Sequence, residues 1–209
     1  MTPAPFRLPA PSGEVLDGLL DLPEPGRFPG PRPAVLLCHG SNGFMDWGFF
    51  PSLATLLAER GYAAVRFKSS VPAVLEAAAG GTLVPGRIDT TRLGLFGHGQ
   101  GGADALLAAA QSPWTERVRA LVTWALLATC DRDLLAAAGR RTAPWLVVQG
   151  AEDETVPAEE ARRLAAAASE LLLIPGADHT FGARHPFAGP NPRLIQALNA
   201  TQAWFRKFL

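Results

Sequence analysis

From residue 34 onward, the sequence alternates short, largely apolar runs with longer stretches of helical periodicity. Runs of this kind are typical of strands that are buried on both faces of a sheet. They occupy residues 34–38, 63–67, 92–96, 118–124, 144–149 and 171–174. The repeated order of strand, helix and strand implies right-handed crossovers. We therefore predict an α/β fold, with a mostly parallel, doubly wound sheet and helices on both faces.

The length of 209 residues fits one domain, 1–209, which is large enough to bury a full core. Residues 1–13 are rich in proline, and we expect an irregular segment there. Residues 14–22 alternate loosely between apolar and polar types, which favours a strand at the edge of the sheet.

The charges of the chain balance, because lysine plus arginine and aspartate plus glutamate both number 19. This balance argues against nucleic acid or an anionic membrane as a partner. No run approaches the ~18 apolar residues of a membrane span, and the first residues lack the apolar core of a signal peptide. We therefore expect a cytoplasmic protein. Only 18% of its residues are charged, so we expect a monomer or a weak homo-oligomer.

The two cysteines, Cys38 and Cys130, lie in separate apolar stretches and do not have the spacing of metal ligands. We predict buried free thiols in preference to a disulfide or a reactive thiol. No other pattern indicates a metal site, and we predict no cofactor.

Residues 92–110 predict a strand, a turn dense in glycine and an alanine-rich helix. Two chemistries use such a unit. Gly97, Gly99 and Gly102 match the dinucleotide-binding pattern G-x-G-x-x-G. The pentapeptide 97–101, Gly-His-Gly-Gln-Gly, matches the nucleophile elbow G-x-S-x-G except at its apex, where Gly99 replaces the serine.

The dinucleotide interpretation is the weaker of the two. A Rossmann unit places an acidic residue about 20 positions further on, at the end of the next strand. Here the first acid after the strand at 118–124 is Asp131, and the glycine turn follows three earlier strands. This interpretation also gives no role to Asp153 and His179.

Polar loops follow several of the predicted strands, at 39–43, 97–101, 150–153 and 177–179. The carboxyl ends of the strands in such a sheet meet at one edge, which is where ligands bind. His179 has the position of a general base, and Asp153 could hold its tautomer. The backbone N–H groups of Ser41 and Gln100 could form an oxyanion hole.

These loops carry a family resemblance. The sequence resembles the α/β-hydrolase superfamily, close to its dienelactone-hydrolase-like and serine esterase or peptidase branches. The matching pieces are Leu-Leu-Cys-His-Gly at 36–40, Asp-Trp-Gly-Phe-Phe-Pro at 46–51, and the segments 94–102, 149–157 and 176–181. The resemblance implies that Asp153 is the triad acid, His179 the base and Gly99 the nucleophile site.

The sequence departs from that family in two ways. The nucleophile is absent, and neither Cys38 nor Ser41 is placed to replace it. The connections at 68–71 and 125–143 are short, so we expect little or no cap domain and an open site. The leading interpretation is a serine-hydrolase scaffold for carboxylic esters or related small acyl compounds, impaired at Gly99. A non-catalytic binding protein on the same fold is the alternative.

Four further residues lie in or near the predicted site loops, and we expect none of them to be catalytic. Beside the predicted apex, we expect His98 to be packed or hydrogen-bonded rather than catalytic. We expect His39 to brace the oxyanion loop and His185 to lie on the surface. Asp178 is the less favoured candidate for the acid.

Overall fold

A computed structural model describes residues 2–9, 13, 15–41, 43–68, 70–127 and 132–209. Its strands are β1 (Ala4–Pro9), β2 (Val15–Asp21), β3 (Arg32–Cys38), β4 (Ala63–Phe67), β5 (Ile88–His98), β6 (Val118–Trp124), β7 (Trp145–Gly150) and β8 (Glu170–Ile174). Its helices are α1 (Phe50–Glu59), α2 (Val71–Ala79), α3 (Gln100–Ala109), α4 (Arg132–Arg140), α5 (Ala158–Ala165) and α6 (Pro192–Phe208). A short 3-10 helix, Trp114–Glu116, precedes β6.

The eight strands form one sheet in the order β1-β2-β4-β3-β5-β6-β7-β8. The pairs β1–β2 and β2–β4 are antiparallel, and all pairs from β4 to β8 are parallel. The fold class predicted from the alternating pattern is therefore confirmed. Cys38 pairs with Gly97, and His98 pairs with Trp124, so the carboxyl ends of β3, β5 and β6 lie level. The loops that follow these strands meet at one edge.

The prediction for residues 1–13 was wrong, because β1 lies within them, and it is β1 rather than the predicted strand at 14–22 that forms the edge of the sheet. β1 pairs with β2 along its whole length, from Ala4 opposite Leu20 to Pro9 opposite Val15. An edge strand tolerates proline because it can turn the missing N–H toward solvent. The ring of Phe6 also packs directly over Gly18, where a side chain would overlap it. Both reasons depend on the partner strand, so local composition does not reveal them.

Two apolar layers enclose the sheet. The helices α2, α3, α4 and α5 pack on one face, and α1 and α6 pack on the other. Successive residues of β3 alternate between the layers, since Ala34 and Leu36 join the first and Val35 and Leu37 join the second. Burial of the strands on both faces explains their largely apolar sequences.

Both short connections leave the carboxyl edge of the sheet open. In the part of the chain that the structure describes, only α2 separates β4 from β5, and only α4 lies between β6 and β7. No cap domain is present there. Cys130 and the first predicted residue of α4, Asp131, lie outside the described residues. Within the described ranges, no helix has the length and hydropathy needed to span a bilayer.

Candidate active site

Gly99 forms a tight turn between β5 and α3. Its backbone angles, φ 57° and ψ −123°, lie in a region that favours glycine. The Gly99 N–H donates to the carbonyl of Trp124 at 3.0 Å. Its own carbonyl accepts from the N–H groups of Gly102 and Leu127, both at 3.1 Å. Backbone hydrogen bonds to the end of β6, to Leu127 beyond it and to the first turn of α3 therefore hold this turn, whatever side chain position 99 carries.

The glycines on either side of the turn are required by packing. A Cβ at Gly97 would overlap the carbonyl of Gly101. A Cβ at Gly101 would overlap the carbonyls of Cys38 and His39 at the end of β3. The start of α3 therefore approaches the sheet more closely than any side chain permits. This close approach accounts for both glycines without a bound nucleotide.

His179 and Asp153 are in contact, although 26 residues separate them. Nδ1 of His179 lies 3.0 Å from Oδ2 of Asp153, whose carboxylate is fully buried. Gln149 donates to the same oxygen at 2.9 Å, and the N–H groups of Thr155 and Val156 donate to Oδ1 at 2.8 Å each. The structure thus brings together the two residues that the sequence paired.

Burial raises the pKa of the Asp153 carboxyl, but hydrogen bonds outweigh that effect. Donation from His179, from the N–H of Val156 and from Gln149 leaves the net pKa below its usual value. Asp153 is therefore a carboxylate near neutral pH, and a carboxylate only accepts hydrogen bonds. The hydrogen of His179 must then sit on Nδ1, which leaves the lone pair of Nε2 free to take up a proton.

The free nitrogen of His179 faces position 99. A Cβ built on Gly99 would lie 3.5 Å from Nε2 of His179, and the next residue, Gly40, is 4.0 Å away at its Cα. A side chain at position 99 would therefore fit, and it would point at Nε2 of His179. This geometry is the one that a nucleophile elbow needs.

His98 supports the loop that carries His179. It is 7% exposed, and its Nε2 donates to the backbone oxygen of His179 at 2.9 Å. Its ring also stands edge-on to Phe49, 5.5 Å away. Burial lowers the pKa of His98 to about 4, so its imidazole is neutral at pH 7. The prediction of a packed, hydrogen-bonded histidine is confirmed.

The loop after β3 lies beside the start of α3. A Cβ on Gly40 would be 3.8 Å from the backbone nitrogen of Gln100. The ring nitrogens of His39 lie 2.9 Å from the carbonyl oxygens of Gly40 and Lys68, which ties this loop to the end of β4. His39 therefore braces the loop as predicted. Ser41 and Gln100 both line the cavity next to Gly99. Asn42 of the same loop lies outside the described residues.

A cavity of about 310 Å³ opens in front of Gly99 and His179, at the small end of the range for ligand sites. Trp47, Phe50 and Leu127 form its apolar wall. The described residues that line it include no lysine, arginine, aspartate or glutamate. The remaining lining residues are small, polar or histidine: Gly40, Ser41, Gly43, His98, Gln100, Thr155 and Thr180. The site thus suits a small, uncharged ligand.

Sequence reasoning missed two residues that support this site. Gln149 holds Asp153, and its amide also donates to the carbonyl of Val156 at 2.9 Å. Arg66, 2% exposed on β4, donates to Asp21 at 2.9 Å and to Asp46 beside Trp47. The available signal was the same for both, because each is a polar residue within an otherwise apolar strand.

The remaining candidates lie apart from the chemistry. Oδ1 of Asp178 accepts from Thr180 and from the N–H of Gly182 within its own loop. His185 is exposed, as predicted. Cys38 is a buried free thiol, and burial raises its pKa. Among the described residues, no three histidine, cysteine, aspartate or glutamate side chains are grouped so that they could hold a metal ion.

Known structures share this architecture across the whole chain. Est1E from Butyrivibrio proteoclasticus aligns with a TM-score of 0.79 at 18% identity, covering 97% of this chain and 98% of that one. A dienelactone hydrolase from Anabaena variabilis aligns at 0.75 and 23%, covering 99% of both chains. The esterase domain of a Rhodothermus marinus protein aligns at 0.75 and 20%, covering 100% and 99%. One of the matching Est1E structures has ferulic acid bound.

These likenesses establish the fold. The chain has the α/β-hydrolase fold, and its structural neighbours include esterases and dienelactone hydrolases, as the sequence resemblance predicted. No family model matches the sequence, and no curated protein matches it.

Proposed function

We propose that this chain is a serine-hydrolase-type scaffold for uncharged carboxylic esters or related small acyl compounds, and that it lacks covalent catalysis because position 99 is glycine. One observation carries the proposal. A Cβ at position 99 would lie 3.5 Å from Nε2 of His179, whose other nitrogen lies 3.0 Å from the Asp153 carboxylate. An acid, a base and a nucleophile position are therefore aligned in the order of a catalytic triad.

The proposed chemistry assigns a role to each candidate. In a chain with serine at position 99, Nε2 of His179 would remove the hydroxyl proton as the oxygen attacks the acyl carbon. Asp153 would stabilise the imidazolium that forms. The N–H groups of Ser41 and Gln100 would hold the oxyanion. Gly99 has no atom that can attack, so no acyl intermediate forms there.

The cavity supports the choice of substrate. Its described lining offers no cation to pair with an anionic acyl group, and burying an unpaired charge is costly. Trp47 and Phe50 offer flat apolar surface to a small acyl chain or ring.

The test is to restore the nucleophile. We expect Gly99→Ser to raise kcat/KM for p-nitrophenyl acetate and butyrate by about 100-fold or more, and to react with a fluorophosphonate probe. Asp153→Asn in that background should lower kcat by about 10⁴-fold. The matched control is Asp178→Asn, which changes a neighbour of His179 that serves only its own loop and should leave kcat within about threefold. A folded Gly99→Ser variant without esterase activity or labelling contradicts the proposal.

A non-catalytic binding protein is the second candidate, and the absence of a reactive atom at Gly99 favours it. It predicts that the chain as it stands binds an uncharged ester, and that Gly99→Ser adds no turnover. Isothermal titration with a non-hydrolysable ketone analogue, beside the esterase assay, separates the two candidates. The dinucleotide alternative predicts a thermal shift with NAD(H), and we expect none because packing already accounts for Gly97 and Gly101.

A further inference from the structure

We infer that the chain with Gly99 hydrolyses activated, uncharged esters directly, with a water molecule as nucleophile and His179 as its general base. The inference rests on the proposed function only for the ligand that occupies the cavity. Three features of the site carry it: the lone pair on His179, the space at Gly99 and the position of the start of α3.

The first feature is the fixed tautomer of His179. The Asp153 carboxylate accepts hydrogen bonds from Thr155, Val156 and Gln149 besides His179. Such a group cannot donate, so Nδ1 of His179 must carry the hydrogen and Nε2 must be the base. His98 donates to the backbone oxygen of His179 and so fixes the loop as well. This base keeps its orientation without a serine partner.

The second feature is the space that glycine leaves in front of that base. The Cβ position at residue 99 has His179 Nε2 as its nearest neighbour at 3.5 Å, and Gly40 follows at 4.0 Å. A serine side chain would fill this space with a methylene and a hydroxyl. A water molecule fits in their place, at hydrogen-bonding distance from Nε2.

The third feature is that the backbone N–H groups proposed to hold the oxyanion keep their positions whatever side chain residue 99 carries. The turn is held by backbone bonds from Gly99 to Trp124, Gly102 and Leu127. The backbone nitrogen of Gln100 therefore keeps its place beside Gly40 and the cavity. An ester carbonyl held there would present its carbon to the water and its oxygen to the N–H groups.

The reaction has two steps. In the first, Nε2 of His179 takes a proton from water while the water oxygen forms a bond to the acyl carbon, and the carbonyl electron pair moves to oxygen. In the second, the tetrahedral adduct collapses, the bond to the leaving oxygen breaks, and that oxygen takes the proton from His179. The ester and water become an acid and an alcohol, and the protein is unchanged. General-base assistance of this kind contributes about 10²–10⁴-fold.

The decisive comparison measures p-nitrophenyl acetate hydrolysis by the unaltered chain and three variants. We expect the unaltered chain to exceed the buffer rate by about 10⁵-fold, of which the oxyanion hole and binding supply about 10³-fold and the base about 10²-fold. His179→Gln should lower that rate by about 100-fold. Gly99→Ala should also lose most of it, because its methyl group takes the space of the water. Gly99→Ser is the matched control for Gly99→Ala, since both carry the same backbone strain, and it should gain activity with a burst of p-nitrophenol.

Two further readouts keep the inference testable if a variant loses stability. The unaltered chain should show no burst and no acyl adduct by intact-protein mass spectrometry, and it should turn over more slowly in D₂O. Equal rates for the unaltered chain and a folded His179→Gln variant overturn the inference, and so does an acyl adduct on the unaltered chain. An active Gly99→Ser variant alongside either result would leave the proposed function standing. An inactive Gly99→Ser variant would contradict the proposed function. The inference would still be decided by whether hydrolysis by the unaltered chain depends on His179.

Discussion

Nε2 of His98 donates a hydrogen bond to the backbone oxygen of His179 across 2.9 Å, so the residue before the turn supports the loop that carries His179. The two rings lie 4.8 Å apart. The ring of His98 is buried, so adding a proton to it costs desolvation free energy in the folded chain.

The burial of His98 predicts a loss of stability in mild acid. Its pKa is about 4 in the folded chain, against 6.5 as a free side chain. Between these values the unfolded chain binds a proton that the folded chain does not, so the free energy of unfolding falls as the pH falls. We expect about 2 kcal/mol less at pH 5 than at pH 7. Urea titrations should show this loss in the unaltered chain and not in His98→Phe. An equal pH dependence in both would mean that His98 is charged when folded.

Alanine substitutions at the glycines of the turn should destabilise the protein by different amounts. Gly97→Ala should cost at least about 3 kcal/mol, because its Cβ would overlap the Gly101 carbonyl. Gly99→Ala fits its surroundings but has a positive φ, so its cost should be about 1–3 kcal/mol. Gly139→Ala is the matched control, because it lies in α4 with nothing within 4 Å and should gain about 0.5–1 kcal/mol. Thermal unfolding checks the order, and similar losses at Gly97 and Gly139 would contradict it.

Substitution of Arg66 should lower the free energy of unfolding more than substitution of Asp46 does. Arg66→Met leaves Asp21 buried without its partner, and we expect a loss of about 3–5 kcal/mol in the free energy of unfolding. Asp46 is 43% exposed, and Asp46→Asn leaves the buried pair intact, so that loss should stay below about 1 kcal/mol. In the Gly99→Ser background, Asp46→Asn should raise KM and spare kcat, because it loosens the loop that carries Trp47. A fall in kcat with KM unchanged would be the opposite result.

Asn191 joins α6 to the loop after His179. Its Oδ1 caps the helix by accepting from the N–H groups of Arg193 and Leu194, and its Nδ2 donates to the carbonyl of Phe181 at 2.9 Å. Asn191→Ala removes both functions and should cost about 2 kcal/mol or more. Asn191→Asp keeps the cap and loses only the donor, so its cost should be smaller. Chemical denaturation of both variants tests this order, and equal losses would assign the whole effect to the Phe181 contact.

Much of the fold could be predicted because its strands are buried on both faces. That burial produces apolar runs that local sequence displays, such as residues 34–38 and 118–124. The strand β1 escaped prediction because its prolines are acceptable only at an edge, and the edge is defined by its pairing with β2. The position of β4 between β2 and β3 likewise depends on long-range pairing, which periodicity does not encode.

The convergence of the site loops could be predicted because parallel strands end at one edge. That rule placed His179 within reach of Asp153 despite the distance in sequence. The rule does not reveal strand side chains that hydrogen-bond to site residues from within the sheet, and so Gln149 and Arg66 were missed. The catalytic roles of Gly99, Asp153 and His179, and the oxyanion roles of Ser41 and Gln100, stay predictions until the variants are assayed. The single-domain organisation and the oligomeric state stay predictions as well.

The turn at Gly99 has a consequence for how this site can change over evolutionary time. Its conformation is held by backbone bonds to Trp124, Gly102 and Leu127, so the fold does not depend on the side chain at the apex. Glycine and serine codons can differ by a single base. A single mutational step can therefore exchange glycine and serine at this position, at the cost of strain at one residue and without repacking the core.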